Sequence, residues 1–483
     1  MSILVVDVGT SSVRAAIVRP DATVGDVARR PLPPIVPFEG LLEIDAAALA
    51  TAVLDVAAEA LARGGPVDAV GVTAQRASTI AWDAATGDPL GPGLGWQDLR
   101  TAGTCLELQG EGLRLSPNES ATKAAWLLDT FDPDRRATTR IGTVDSWVVY
   151  TLTGGADGGV HVTDPSNAAV TGLLSGGRLE WRDEVLERLR IPRTALPTLV
   201  DSSGRVAPAA ALPGAPPVCG IAGDQQASLI GQGCVRPGMA KATFGTGGML
   251  DLCTGPGAPA STARSSAGCF PIVAWRRAGV TTWGVEALML SAGSAVDWLV
   301  DDLGVLADAA ESATVAATVA DAGGLVFVPA LSGLGTPHWD FGARGTLLGA
   351  TRGAGRAQLV RAVLEGVAAA GADLVEAAEA DAGVTIDALR VDGGMSANAV
   401  FVQALADACQ RPVEVSPQLE ATTLGAGYLA GMAVGTWRDE DDVAAAWRPA
   451  RTVEPASTPD RDRWAGAVER ARRWYPELTA LEF

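Results

Sequence analysis

Gly220-Ile-Ala-Gly-Asp-Gln-Gln226 is the stretch that decides how this chain folds. It places one carboxylate, Asp224, on a glycine-punctuated turn directly after the apolar run 218–222. Two further turns share that character: Asp7-Val-Gly-Thr-Ser-Ser12, which follows residues 3–6, and Phe244-Gly-Thr-Gly247, which follows residues 242–244. Short Gly/Thr/Ser turns after strands cluster backbone N–H groups and hydroxyls, and such clusters suit a polyphosphate. A single Asp between them suits a base that takes a proton from a sugar or polyol hydroxyl. Each turn by itself reads equally well as an ordinary hairpin, and Asp392-Gly-Gly394 reads as a plain strand-to-helix turn. Their coincidence with Asp224 in one chain points to a cleft for phosphoryl transfer from a nucleotide to a small alcohol.

The bulk numbers agree with an enzyme of that kind. At 483 residues the chain exceeds what one hydrophobic core usually serves, so two domains are expected. Apolar residues at 48% and charged residues at 19% describe a compact globular protein. The net charge of −19, with lysine only at 123 and 241, repels nucleic acid and anionic membranes, so neither is expected as a partner. Six cysteines without a CxxC pair read as reduced, mostly buried thiols in a cytoplasmic protein. The first residues have no basic region and an acid at position 7, unlike a signal peptide. No run of 18 apolar residues is free of Pro, Gly or charge, which argues against a membrane span.

Outward from the turns, the apolar spacing predicts a strand over 3–6 with a hairpin partner over 13–18. A helix follows over 44–61, capped by Asp45, then a strand over 67–73 that ends at Gln75-Arg76. Helical patterns cover 122–128 and 145–152, and the Pro/Ala-rich 208–217 reads as a surface connection. The second half repeats the plan: strands over 239–244 and 249–253, a helix over 286–303, a strand over 325–329, and a long Ala-rich helix over 356–381. A strand over 389–391 and helices over 399–409 and 422–432 complete it. The repeated strand–hairpin–helix pattern predicts two similarly built α/β domains around a cleft, 1–233 and 234–483.

Other nucleotide and catalytic motifs are missing. There is no GxxxxGK[ST], no GxGxxG and no GxSxG. His161 and His338 lie far apart, and no zinc site is expected; His338 reads as structural or cleft-lining. Arg76, after a strand, is either an acceptor-binding residue or a surface arginine. Trp82, Trp96 and Trp126 each read as core, and Trp96, in the glycine-rich loop of Gly91, Gly93 and Gly95, is the first of the three expected to face a ligand.

The chain resembles the FGGY family of carbohydrate kinases, and within it the glycerol kinase branch. The resemblance rests on Asp7-Val-Gly-Thr10, Gly142-Thr-Val-Asp-Ser-Trp147, His161-Val-Thr-Asp164, Gly220-Ile-Ala-Gly-Asp-Gln-Gln226, Gly333-Leu-Gly-Thr-Pro-His-Trp-Asp340, Val391-Asp-Gly-Gly394 and Ala426-Gly-Tyr-Leu-Ala-Gly431. It implies two actin/Hsp70/hexokinase-like (RNase H-like) ATPase domains, with ATP and magnesium in the interdomain cleft. The first domain would bind the acceptor and carry the base, and the second would bind the nucleotide. By matching position, Asp7 would hold hydrated magnesium, and Thr10, Ser11, Ser12 and Arg14 would contact phosphates. Thr246, Gly293, Asp297, Gly394 and Asn398 would line the nucleotide site. Asp224 would be the general base, Arg76 and Gln225 acceptor ligands, and Trp96 an apolar wall. A homodimer and a homotetramer are both left open.

Three positions depart from the glycerol kinase pattern, all in the acceptor pocket. Ala77 stands where a hydroxyl-binding glutamate follows the arginine, Asn118 where a tyrosine stands, and Met249 where an aromatic stands. The expectation is therefore an ATP-dependent kinase of a small polyol or sugar. Glycerol is the first named acceptor, and a four- or five-carbon polyol or ketopentose (xylulokinase- or ribulokinase-like) is the alternative. A non-catalytic sugar sensor on the same fold is disfavoured by the retention of Asp224 and by the lack of a helix-turn-helix extension.

Overall fold

The computed structural model describes residues 1–480 apart from Gly176, Thr262 and Leu419. In the first half, strands β1 (Ile3–Val8), β2 (Ser12–Val18) and β3 (Val24–Pro31) form an antiparallel meander. The helix α1 (Ala46–Gly64) then returns the chain to β4 (Ala69–Ala74), which lies parallel to β1. Asp45 caps α1 by accepting from the Ala48 N–H, as its position before the apolar spacing predicts. An insertion with its own small sheet and the helix α2 (Ser120–Phe131) separates β4 from β5 (Ser203–Pro208) and β6 (Pro217–Gly223). Strand β6 lies parallel to β4 and leads straight into the helix α3 (Asp224–Gly231).

The second half repeats the plan. Strands β7 (Ala240–Phe244), β8 (Gly248–Gly255), β9 (Phe270–Arg277) and β10 (Val280–Met289) are followed by the long helix α4 (Arg356–Ala382). Then come β11 (Leu389–Asp392), the helix α5 (Ala399–Cys409), β12 (Val413–Val415), the helix α6 (Ala421–Val434) and the edge strand β13 (Arg451–Val453). The spatial order β6-β4-β1-β2-β3 in the first half matches β12-β11-β7-β8-β10 in the second. In both, the first and second and the second and third strands run antiparallel, while the fourth lies parallel to the first and the fifth to the fourth. This is the duplicated, ATPase-type α/β architecture. The single parallel pair Ser203 and Arg277 joins the halves into one 13-stranded sheet.

Burial explains why Ile3–Val6 of the central strand β1 is apolar without interruption. Leu4, Val6 and Val8 of β1 face a core with Leu49, Val53 and Val56 of α1, whereas Ile3 and Val5 face a second core on the other side. A strand covered on both faces has no polar alternation. That second core is completed by Leu424, Tyr428 and Leu429 of α6, so a helix of the second half packs on the sheet of the first. Two glycines permit this approach. A Cβ at Gly425 would stand 1.7 Å from the Ala227 carbonyl oxygen, and one at Gly231 would stand 1.8 Å from that of Ala421. Helices α3 and α6 therefore cross in backbone contact.

One expected element is wrong in kind. Residues 286–303 read as a single helix, but Glu286 lies inside the strand β10, and helix begins only at Gly293. The strand end Val285–Met289 is largely buried, so its apolar run lacked the period-two signal that separates strand from helix.

Candidate active site

The parallel strands β1, β4 and β6 all end at one edge of the sheet, and their register sets three functional segments side by side. Asp7 pairs with Thr73, and Thr73 with Ala222, so Gln75-Arg76 and Asp224 emerge next to the Asp7 turn. Ligands in such sheets bind outside the carboxyl ends of the strands. Asp7 is almost fully buried and faces Arg14 across the hairpin. Arg14 donates to Asp7 Oδ2 through Nε at 2.9 Å and Nη2 at 2.7 Å, and Thr423 Oγ1 donates to the same oxygen at 3.2 Å. The second side of Arg14 pairs with Glu420 at 2.5 Å. Burial acts against the Arg14 charge, but Asp7 and Glu420 more than offset it and raise its pKa. Thr10, Ser11 and Ser12 form the tight turn between β1 and β2, closed by the Gly9 N–H to Ser12 carbonyl bond of 3.0 Å.

Asp224 is the first residue of α3. Its Oδ1 accepts from the Gln225 N–H at 2.8 Å and lies 3.5 Å from Arg76 Nε, while 33% of the side chain stays accessible. Burial pushes its pKa above the usual carboxylate range, Arg76 opposes that, and Asp7 adds to it. Arg76 is no surface arginine: its side chain is 11% exposed, and Nη2 pairs with Glu286 at 2.7 Å and reaches Met249 Sδ at 3.6 Å. Gln225 turns its Oε1 to Lys241 Nζ at 2.7 Å. Trp96 is 37% exposed, and its backbone is held by Ser78 Oγ, Asn118 Nδ2 and Lys123 Nζ at 3.0–3.1 Å. Ala77 is 8% exposed at a left-handed φ of 60°, with Ser120 Oγ donating to its carbonyl at 3.0 Å. Ser78 links the two groups: its N–H donates to the Arg76 carbonyl at 2.7 Å, and its Oγ accepts from the Trp96 N–H.

The second half presents the other edge. Thr246 sits on the turn between β7 and β8, and its carbonyl accepts from Ala292 and Ser294 at 2.9 and 3.1 Å, which docks the start of the Gly293–Asp297 helix on the turn. Gly293 is needed there, since a Cβ would stand 2.5 Å from the Gly245 carbonyl oxygen. Gly245 and Gly394 instead face open space. Asp297 is exposed at the far end of its helix. Asn398 has its Oδ1 committed to the Val400 and Phe401 N–H groups as the cap of α5, and its Nδ2 donates to Ser312 Oγ at 3.0 Å. Its side chain therefore shapes the Asp392-Gly-Gly394 loop exit.

A divalent cation fits the Asp7 side of the site. The Arg14 and Thr423 bonds to Asp7 all go to Oδ2. Among the described residues no cluster of three metal-ligating side chains occurs, and magnesium typically takes one or two carboxylates with water and phosphate oxygens.

Sequence reading passed over Glu286, Lys241 and Asp251. Their proximity to Arg76 and Gln225 depends on strand register, which no local motif records. His161 is structural: it packs against Trp82 at 4.9 Å, hydrogen-bonds the Ile141 carbonyl at 3.0 Å, and burial pushes its pKa down to about 4.

Comparison with known proteins fits this geometry. The models of the FGGY family of carbohydrate kinases match residues 2–231 with the N-terminal domain and 241–434 with the C-terminal domain. The chain is 43% identical to a glycerol kinase of Dechloromonas aromatica over 98% of both chains. Among solved structures it is similar to Plasmodium falciparum glycerol kinase with ADP, with a TM-score of 0.90, 26% identity, and coverage of 100% of this chain and 99% of that one. It is also similar to a xyloylose kinase from Brucella ovis, with a TM-score of 0.86, 26% identity and full coverage of both chains.

Proposed function

Because this chain belongs to the FGGY family of carbohydrate kinases, we propose that it transfers the γ-phosphoryl group of ATP to a hydroxyl of a small polyol, glycerol first among them. The observation that carries the reading is Asp224 at the carboxyl edge of the sheet, one-third accessible and 3.5 Å from Arg76. An alcohol is far too weak an acid to ionise unaided at neutral pH. Asp224 accepts its proton as the oxygen attacks phosphorus and the bond to the ADP oxygen breaks. Arg76 favours the ionised form of Asp224 and, with Gln225, binds acceptor hydroxyls, while Trp96 supplies an apolar wall. Asn118, Met249 and Ala77 border the same pocket. The backbone N–H groups of the Thr10–Ser12 and Gly245–Gly247 turns, with the hydroxyls of Thr10, Ser11, Ser12 and Thr246 and the open Gly394, cradle the phosphates. Magnesium held through Asp7 would neutralise the charge of the phosphate oxygens. Residues 1–233 would thus bring acceptor and base, and 234–483 the nucleotide; closure of the halves excludes water as a competing acceptor.

The relationship to glycerol kinases supports glycerol over a four- or five-carbon polyol or ketopentose, despite Ala77, Asn118 and Met249. All six cysteines are buried free thiols, which suits the cytoplasm, and no described helix is long and apolar enough to cross a membrane. An ADP-release assay across glycerol, erythritol, xylitol, xylulose and ribulose tests the reading. Glycerol-dependent ADP release requiring magnesium is the expected result. Release no faster with any of these acceptors than with water would overturn it.

A further inference from the structure

Lys241, Asp251 and Glu286 stand in one row across three adjacent strands. Lys241 of β7 is opposite Asp251 of β8, and Asp251 is opposite Glu286 of β10, so all three project from the same face. Lys241 and Asp251 are fully buried and paired at 2.7 Å, and the Glu286 side chain is 7% exposed. The row ends on two residues of the other half. Lys241 Nζ donates to Gln225 Oε1 at 2.7 Å, and Glu286 pairs with Arg76 Nη2 at 2.7 Å. Beyond Arg76 lies Asp224 at 3.5 Å. Two cations, Lys241 and Arg76, thus bracket the adjacent carboxylates Asp251 and Glu286, and the row runs from the interior of the second half to the base on the first.

Such a row is a poor way to stabilise a fold. Desolvating buried ions generally cancels their attraction, and apolar residues of the same volume often do better. What the row does is fix the two side chains that face the acceptor. We propose that Asp251 and Glu286 are positioning residues for the acceptor site: Glu286 holds Arg76, and Asp251, through Lys241, holds Gln225, in the orientation that binds hydroxyls. Glu286 thereby brings a carboxylate to Arg76 from the opposite half, where Ala77 brings none from the same strand end. This rests on the acceptor reading of Arg76 and Gln225.

The row also has a proton-dependent side. Burial pushes Glu286 up to about 7, Arg76 opposes this and Asp251 adds to it. The charged groups facing Glu286 are Arg76 from the β4 exit, Asp251 on β8 and Lys241 on β7, with Asp224 of α3 behind Arg76. Its register neighbour on β9 is the uncharged Phe270. Removing the Asp251 charge lets Glu286 ionise at lower pH.

The test is the steady-state kinetics of Asp251→Asn, Glu286→Gln and the pair Lys241→Met/Asp251→Leu, with Arg76→Ala as reference. Each variant should raise the acceptor KM on the order of tenfold, the loss typical of a charged hydrogen-bonded contact, with the ATP KM within about twofold. In the wild type the acceptor KM should change with pH near neutrality, and in Asp251→Asn that inflection should move to lower pH. The double variant removes both members of the buried pair and keeps the test open if Asp251→Asn alone fails to fold. The proposal falls if folded variants keep the wild-type acceptor KM while Arg76→Ala raises it, or if acceptor and ATP KM rise together. If Arg76→Ala leaves the acceptor KM unchanged, the acceptor reading of Arg76 falls and the proposal with it.

Discussion

Replacing Asp224 by Asn isolates the proton-accepting step. The substituted amide keeps an oxygen where Oδ1 accepts from the Gln225 N–H at 2.8 Å, so the start of α3 is preserved. Arg76 loses a partner at 3.5 Å but keeps Glu286 at 2.7 Å, so no buried cation is left unpaired. The side chain is also one-third accessible, and water can solvate the amide. The fold should therefore hold, and the loss should fall on chemistry. A positioned base contributes about 10²–10⁴ in rate, or about 2.7–5.4 kcal/mol of barrier. The ATP KM should stay within roughly twofold, because removing a group that acts only in the transition state leaves ground-state binding alone. Steady-state ADP release at saturating glycerol measures kcat, and thermal unfolding checks the fold. A folded variant with kcat within tenfold of the wild type would refute Asp224 as the base.

Four further outcomes follow from the same geometry. Gly245→Val should fold normally, since a Cβ there meets nothing within 4 Å, yet raise the ATP KM on the order of tenfold by blocking backbone approach to phosphate; an unchanged ATP KM would remove that turn from the site. The acid limb of kcat/KM should lie above the ordinary carboxylate range, because burial raises Asp224 and activity is lost as pH falls through that raised value. Arg76→Met should move the limb further up by removing the group that opposes the shift, as a pH–rate profile at saturating ATP would show. Ala77→Glu should lower the glycerol KM relative to that for erythritol in a paired assay, since the backbone at Ala77 is already pinned by Ser120 and a longer side chain adds no strain at its φ.

Much of the site was legible because its chemistry sits in short turns. The Asp7, Asp224 and Thr246 turns each follow an apolar strand, and local sequence records both the strand and the glycine that ends it. The paired halves were legible for the same reason: the hairpin recurs, and a long helix, α1 in the first half and α4 in the second, follows it. What stayed hidden depends on register and on burial from both sides. Glu286 was placed in a helix because the apolar residues around it are buried in β10 without alternation. Its meeting with Asp251 and Arg76 needs β8 and β10 paired in one register and the two halves docked. The capping role of Asn398 was, by contrast, recorded locally, as an Asn directly before the apolar helix α5 whose Oδ1 accepts from the Val400 and Phe401 N–H groups. The strand β3 was missed because it is an edge strand in which only Ala28 is buried and Gly25, Asp26, Arg29 and Arg30 break the apolar pattern.

The most direct test of phosphoryl transfer follows the label itself. The protein is incubated with γ-³²P-labelled ATP, magnesium and glycerol, with Asp224→Asn in parallel, and the labelled products are separated. The wild type should place the label in a glycerol phosphate, and the variant should form it on the order of 10²–10⁴ more slowly. Label appearing only as inorganic phosphate, or in glycerol phosphate at the same rate with both proteins, would contradict the account.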